Sequence, residues 1–247
     1  MAGFPEDGIR NLHEGRDHFW FRHRNAVVER ALRQALGSAA GAKVLELGCG
    51  SAIIGGHLQH AGFNVTVSDR DSGFLAFVPP GMASLIFDLT RDTAPDEARG
   101  TFDALVLGDV IEHLKDPAAA LRRARDFLRP GGRLVVTVPA LQALWSDYDV
   151  QSMHEKRYGR DDLREEMRAA GFTVDRVDFF MGLPALLLYV QRRLALRKGS
   201  PRLGRDSLRI SPLLNRLLFR VMQVEHWAAQ SVRLPFGSSL LATGTKP

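Results

Sequence analysis

Apolar residues recur along this chain in short, nearly unbroken runs, separated by longer stretches in which they return at helical spacing. The runs Lys43–Leu47, Asn64–Ser68, Ser84–Phe87, Phe102–Leu107 and Arg133–Val138 read as β-strands, each followed by a helical or loop segment. Ala104-Leu105-Val106-Leu107 and Leu134-Val135-Val136-Thr137-Val138 are too continuously apolar for a sheet with one wet face; they suit a parallel sheet buried on both. The rhythm therefore predicts a doubly wound α/β fold. Ahead of the first strand, His18 to Leu36 has helical spacing, with Phe19, Val27, Ala31 and Leu32 on one stripe and Gly37 as its stop. After the fifth run, Ala140 to Tyr158 is a long polar and aromatic connection, and such irregular segments inside a domain are more often functional than idle. A helix over Asp161–Ala170 closed by Gly171, a strand over Phe172–Phe180, helices over Leu183–Leu196 and Pro212–Val232, and a last strand over Ser238–Gly244 complete the expected order.

Composition adds limits. A chain of 247 residues with 45% hydrophobic and 25% charged positions holds one well-buried α/β core, and two independent domains would be a squeeze. The lone Cys49 excludes an intrachain disulfide and a Cys-rich zinc site, which suits a reducing compartment and makes the cytoplasm the expected location. Glu6, Asp7, Arg10 and Glu14 interrupt the N-terminus, so a cleaved signal peptide is not expected. The net charge of +5 is concentrated late, where Arg192, Arg193, Arg197, Lys198, Arg202, Arg205 and Arg209 face the single acid Asp206. A solvated basic stretch is the preferred reading of that excess over a binding patch.

The first strand runs into Glu46-Leu47-Gly48-Cys49-Gly50-Ser51, a glycine turn where a parallel strand hands over to a helix and where such sheets bind ligands. Gly48 and Gly50 allow a tight turn and close approach of backbone to ligand, with Cys49 between them, and the next helix offers unpaired N–H groups. Asp69 closes the second strand about twenty residues on, where an acid accepts from both ribose hydroxyls of an adenosine ligand; Arg70 adjoins it. Asp88, in Phe87-Asp88-Leu89 after the third strand, is placed for the adenine amino group, with Leu89 as an apolar face for the ring. Gly108 and Asp109 end the fourth strand, so these polar groups converge on one edge of the sheet. Ile53 fills the third glycine position of the dinucleotide fingerprint, and Glu46 adds an anion that repels phosphates but suits an ammonium. S-adenosylmethionine is thereby favoured over NAD.

Val44 to Gly50, Asp69, Phe87-Asp88-Leu89, Asp109-Val110-Ile111-Glu112-His113-Leu114 and Leu128-Arg129-Pro130-Gly131-Gly132 together resemble the ordered motifs of class I S-adenosylmethionine-dependent methyltransferases, in the branch similar to ubiquinone-biosynthesis O-methyltransferases. The resemblance is strong over Val44–Pro139 and implies a mostly parallel, Rossmann-like sheet of seven strands whose last strand is antiparallel. His18-Phe19-Trp20-Phe21-Arg22 and Trp145 to Tyr158 resemble segments of bacterial members, some associated with glycan or lipid assembly. Residues 1–247 are then one domain: a helical cap at 1–42, a cofactor-binding core at 43–139, and an acceptor-side lid, helical insertion and last strands at 140–247.

Methyl transfer from a sulfonium is an in-line displacement, accelerated chiefly by alignment in a dry pocket. A hydroxyl acceptor also needs a group to take its proton, and His154 and His113 are the candidates, with Asp109 beside them. Trp20, Trp145, Tyr148 and Tyr158 are the candidate acceptor contacts. Asp109, Glu112 and His113 are also similar to a divalent metal site of some quinone-pathway relatives, but with Asp in place of Glu a solvated helix start is preferred and no metal is assigned. The Asn/Asp-Pro-Pro-aromatic motif of amino-group nucleic-acid methylases is absent after the fourth strand, which leaves no nucleic-acid partner and a small-molecule, glycan- or lipid-linked acceptor. N- or C-methylation, or a catalytically silent adaptor, are the alternatives; intact Glu46, Asp69 and Asp88 argue against the adaptor. The apolar stretch that precedes the basic run in 179–209 is too short to span a bilayer, so it is read as a buried helix, with a homodimer contact and a peripheral contact at the inner membrane face as its other readings.

Overall fold

The alternating runs close into one seven-stranded sheet. The computed structural model describes residues 15–197, 210–229 and 232–247. Strands β1 (Lys43–Leu47), β2 (Asn64–Asp69), β3 (Ala83–Ile86), β4 (Phe102–Gly108), β5 (Leu128–Pro139), β6 (Thr173–Phe180) and β7 (Ser239–Thr245) lie in the order β3-β2-β1-β4-β5-β7-β6. Only β7 is antiparallel, to both β5 and β6, as the resemblance implied. The helices are α1 (Phe19–Leu36), α2 (Ile53–His60), α3 (Ser72–Leu75), α4 (Pro117–Arg125), α5 (Asp147–Gln151), α6 (Arg160–Ala169), α7 (Gly182–Arg197) and α8 (Pro212–Ala228).

Period-two alternation divides the core between the two faces of the sheet. Leu45, Leu47, Leu105, Leu107, Leu134 and Val136 pack with Leu121 and Ala124 of α4 and Leu163 and Met167 of α6. Val44, Val65, Val67, Ala104, Val106 and Val135 pack on the other side with α1 and α2. Strand order reverses between β1 and β4, and the crevice for a ligand opens there, beyond the last register pair, Glu46 with Val106.

Local chemistry explains most boundaries. His18 caps α1 by accepting from the Trp20 N–H, and Gly37 ends it at φ 75°. The Gly159 N–H donates to Asp162, which fixes the start of α6 one residue earlier than expected. β5 begins five residues before the expected Arg133, because Pro130-Gly131-Gly132 is no turn: the Gly131 N–H donates to the Lys246 carbonyl and the Lys246 N–H to that of Gly132, both at 2.9 Å. The helix expected over Pro212–Val232 ends at Ala228. It folds back on α1: Asn215 accepts from the Phe19 N–H at 2.7 Å, and Arg30 donates to the His226 carbonyl. Residues 1–14 of the expected cap and the basic run beyond Arg197 lie outside the described residues. Among the described residues, no helix is long and apolar enough to cross a membrane.

Candidate active site

Backbone geometry at the β1 turn explains its glycines. Gly48 has φ 72°, and a Cβ there would lie 2.7 Å from Cγ2 of Val110; Gly50 has φ 51° and faces open space as far as Phe74, 3.9 Å away. The packing duty of the missing third glycine falls two residues beyond Ile53, on Gly55, where a Cβ would come within 2.6 Å of Val67 and 2.7 Å of Glu46 Oε2. Gly108 likewise lets the end of β4 pass against Ile54. Ala52 and Asp109, both non-glycine, hold φ of 54° and 57° on either side of the crevice, a local strain of the kind found at functional sites.

Glu46 does not present its charge to the crevice as expected. It is buried, its Oε2 accepts from the Gly55 N–H at 2.8 Å, and burial, only partly offset by the nearby Arg24, raises its pKa from 4.5 to about 8. It therefore ties the turn to α2 from behind as a largely neutral acid at pH 7. The Cys49 thiol is also buried and its pKa is raised by that burial; its N–H donates to Ser68 at 2.9 Å, so it serves the turn through its backbone.

Asp69 stands at the end of β2, where its Oδ2 accepts from the Gly50 N–H at 3.0 Å and its Oδ1 from that of Asp71 at 3.2 Å. Helix capping is done by Asp71, which accepts from Gly73 and leaves Asp69 to the turn. Burial raises the Asp69 pKa against those N–H bonds. Asp88 accepts from the Thr90 N–H and hydroxyl at 2.8 and 2.6 Å and lies 3.3 Å from Arg91. Burial is outweighed there by the Thr90 bonds and by Arg91 and Arg70, which hold the carboxyl below its usual range. Exposed Arg70 thus acts on Asp88 through its charge, whereas Leu89 is buried in the core and forms a wall instead of an open face. Gly turn, Asp69 and Asp88 on three adjacent strand ends fit an adenosine-bearing ligand.

At the end of β4, Asp109 is fixed from two sides. Arg24 of α1 reaches it at 2.8 Å, and the Thr137 hydroxyl donates to its other oxygen at 3.1 Å. The sequence offers no sign of this clamp, because Arg24 lies 85 residues away and meets Asp109 only through the fold. Asp109 is thereby engaged, and the metal-like set shifts. Glu112, His113 and His154 each offer one ligand atom, all within 4.8 Å of one another. Glu112 is buried with no hydrogen bond to either carboxylate oxygen, and burial followed by the charge of Asp109 raises its pKa well above the usual range.

The two histidines expected to act are neighbours, with ring centroids 4.8 Å apart. Burial, then the charge of His154, pushes His113 down to about 4, so its ring is neutral at pH 7. His154 Nδ1 lies 2.9 Å from Oδ1 of buried Asp149, which also accepts from Arg157 Nε at 2.7 Å. Burial opposes the charge of Asp149, yet His154 and Arg157 outweigh it and hold the carboxyl at about 2. An ionised carboxylate only accepts, so Nδ1 carries the proton and Nε2 is the basic nitrogen.

The aromatic residues separate. Tyr148 stays with His154, centroids 6.3 Å apart, and Trp145 is half-buried at the end of the Gln142–Leu144 turn. Trp20 is partly buried against the cluster beneath α1, one turn before Arg24. Tyr158 is wholly buried, its hydroxyl 3.4 Å from the Ile111 carbonyl, and backs the site as packing instead of touching an acceptor.

The sequence profile of a family described as "Methyltransferase domain" matches residues 20–177. The chain is 31% identical over 103 residues to a ubiquinone biosynthesis O-methyltransferase of Pseudomonas aeruginosa (strain UCBPP-PA14), covering 40% of this chain and 44% of that protein. It is 34% identical over 123 residues to a demethylmenaquinone methyltransferase of Mycolicibacterium paratuberculosis, covering 49% of each. The match therefore spans less than half of either relative. Among solved structures, phosphoethanolamine N-methyltransferase 2 of Haemonchus contortus with bound S-adenosyl-L-methionine superposes with a TM-score of 0.57 at 17% identity, over 90% of this chain and 52% of that one. An S-adenosylmethionine-dependent methyltransferase of Mesorhizobium loti gives 0.56 at 16% identity, over 87% and 96%. At such identities the likeness is one of fold.

Proposed function

The chain belongs to the methyltransferase domain family, whose cofactor is S-adenosylmethionine, and from that premise we propose that it methylates a hydroxyl of a small or lipid-linked acceptor with His154 taking the proton. The observation that carries this reading is His154 held on the anion of buried Asp149, beside neutral His113, at the strand-end edge that bears the cofactor turn. The relative named for O-methylation supports oxygen as the acceptor atom. Gly48, Gly50, Asp69 and Asp88 would hold the cofactor, which supplies an electrophilic methyl group when bound. Arg24 and Thr137 fix Asp109 at the edge of the crevice, and Tyr148 and Trp145 flank the acceptor side. During transfer to a bound hydroxyl, His154 Nε2 would take the proton that the oxygen gives up, with Asp149 holding the ring through Nδ1. The reading places methyl transfer in the cytoplasm, and a lipid-linked acceptor would bring the protein to the inner face of a membrane.

A second reading rests on the unpaired oxygens of Glu112. Glu112, His113 and His154 would hold a divalent cation, which would acidify a bound hydroxyl. The test of both is incubation of the purified protein with methyl-labelled cofactor and fractionated cell extract, followed by mass spectrometry, with and without a chelator. Label on oxygen of an organic-soluble product supports the proposal, and loss of that label with chelator supports the cation. Label on nitrogen or carbon, or cofactor binding without any transfer, overturns hydroxyl methylation.

A further inference from the structure

Of the two helices inserted between β6 and β7, α8 has one side that no described residue covers. On α8, Met222 is buried, Asn215 accepts from the Phe19 N–H, and Glu225 accepts from the Met181 and Gly182 N–H groups at 2.5 and 2.9 Å. With successive residues turned by about 100°, the opposite side carries Leu213, Leu217, Val224 and Trp227, exposed by 78%, 58%, 65% and 72%. Arg216 and Arg220 lie among them, both exposed. The helix has no acid on that side, since Glu225, its sole carboxylate, points inward. On α7, which packs instead against the Gln142–Leu144 turn, Leu183, Leu187 and Val190 are exposed as well. So much apolar area beside unpaired cations is unusual for a face left in water.

We propose that this face of α8 docks on an anionic lipid surface, with Leu213, Leu217 and Val224 in the acyl boundary, Trp227 at headgroup level, and Arg216 and Arg220 against lipid phosphates. The charge pattern selects this occupant over a second copy of the chain. A twofold self-contact would set α8 against α8 and bring arginines together with no acid to pair them. Anionic headgroups supply the missing charge. The inference deepens the lipid-linked acceptor proposed above and rests on it for purpose only: α8 is bound to α1, and α1 carries Arg24 to Asp109, so a docked face would lie one helix from the site.

Sedimentation of the full chain with vesicles of phosphatidylcholine, alone or with one-third phosphatidylglycerol, tests it. Binding to the anionic vesicles is expected, weakened about twenty-fivefold in the Arg216→Gln/Arg220→Gln variant at about fivefold per charge removed. The tryptophan emission of the wild type should shift to the blue on anionic vesicles, and Trp227→Ala should lose that shift. Equal S-adenosylhomocysteine affinity in all variants shows that the fold and cofactor site are intact, which separates this test from that of methyl transfer. Absence of binding to anionic vesicles, binding unchanged in the arginine variant, or a wild-type dimer that Trp227→Ala turns into a monomer would overturn the proposal.

Discussion

Replacing Glu46 by Gln should make the ligand-free protein more stable than the wild type, and increasingly so as pH rises. Glu46 is 2% exposed, and its pKa is raised from 4.5 to about 8, with burial as the largest cause. The folded state thus holds a proton that the unfolded chain gives up above pH 4.5. A raised pKa contributes stability that is present below the unfolded value and lost as pH climbs through the folded one, at no more than about 1.4 kcal/mol per pH unit. Between pH 5 and 9 the wild type should lose about 3–5 kcal/mol through this group. Gln keeps an acceptor for the Gly55 N–H at 2.8 Å and cannot ionise. Urea unfolding of both proteins at half-unit steps checks this: the variant's advantage should be near zero at pH 5 and grow to its full size by pH 9. A difference that stays flat across that range would show that Glu46 is already ionised when folded, and the account of the turn would fail.

Tyr158→Ala should cost about 3–5 kcal/mol by urea unfolding, because a fully buried ring leaves a cavity, and a cost under 1 would put Tyr158 outside the core. Asp149, held at about 2, contributes stability that is present above its ordinary pKa and lost as pH falls toward 2; Asp149→Asn should flatten that acid limb in a pH series, and an unchanged limb would remove the Asp149 anion from the account. Arg24→Met should destabilise by about 2 kcal/mol, less than for a fully buried pair because Asp109 is 24% exposed, and denaturant midpoints equal to wild type would show that the clamp is idle.

The fold was legible because the strands are continuous apolar runs, and Ala104 to Leu107 and Leu134 to Val138 end up buried on both faces of the sheet. The places of Asp69 and Asp88 at the ends of β2 and β3 were legible for a similar reason, since an acid at a strand end is local in sequence. What was hidden is made by contacts between distant elements. Arg24 carries no local signal and acquires its meaning from Asp109. Asp149 follows the pattern of a solvated helix start until Arg157 and His154 close on it. Tyr158 sits in a polar, aromatic connection that reads as surface, yet its N–H donates to the Pro139 carbonyl at 2.9 Å and draws the ring beneath the end of β5. Gly55 was obscured by the fingerprint spacing, which directs attention to Ile53.

The most direct test of the site is calorimetric titration of S-adenosylhomocysteine into wild type, Asp69→Ala and His154→Ala side by side, with NAD as the control ligand and turnover measured on the same preparations. Asp69→Ala should bind more weakly by about 1–3 kcal/mol, having lost the acceptor for the ribose hydroxyls, while His154→Ala should bind as the wild type does and turn over more slowly. NAD should not bind. Wild-type affinity in Asp69→Ala, or a loss of cofactor affinity in His154→Ala, would contradict the assignment of the two residues to cofactor and acceptor.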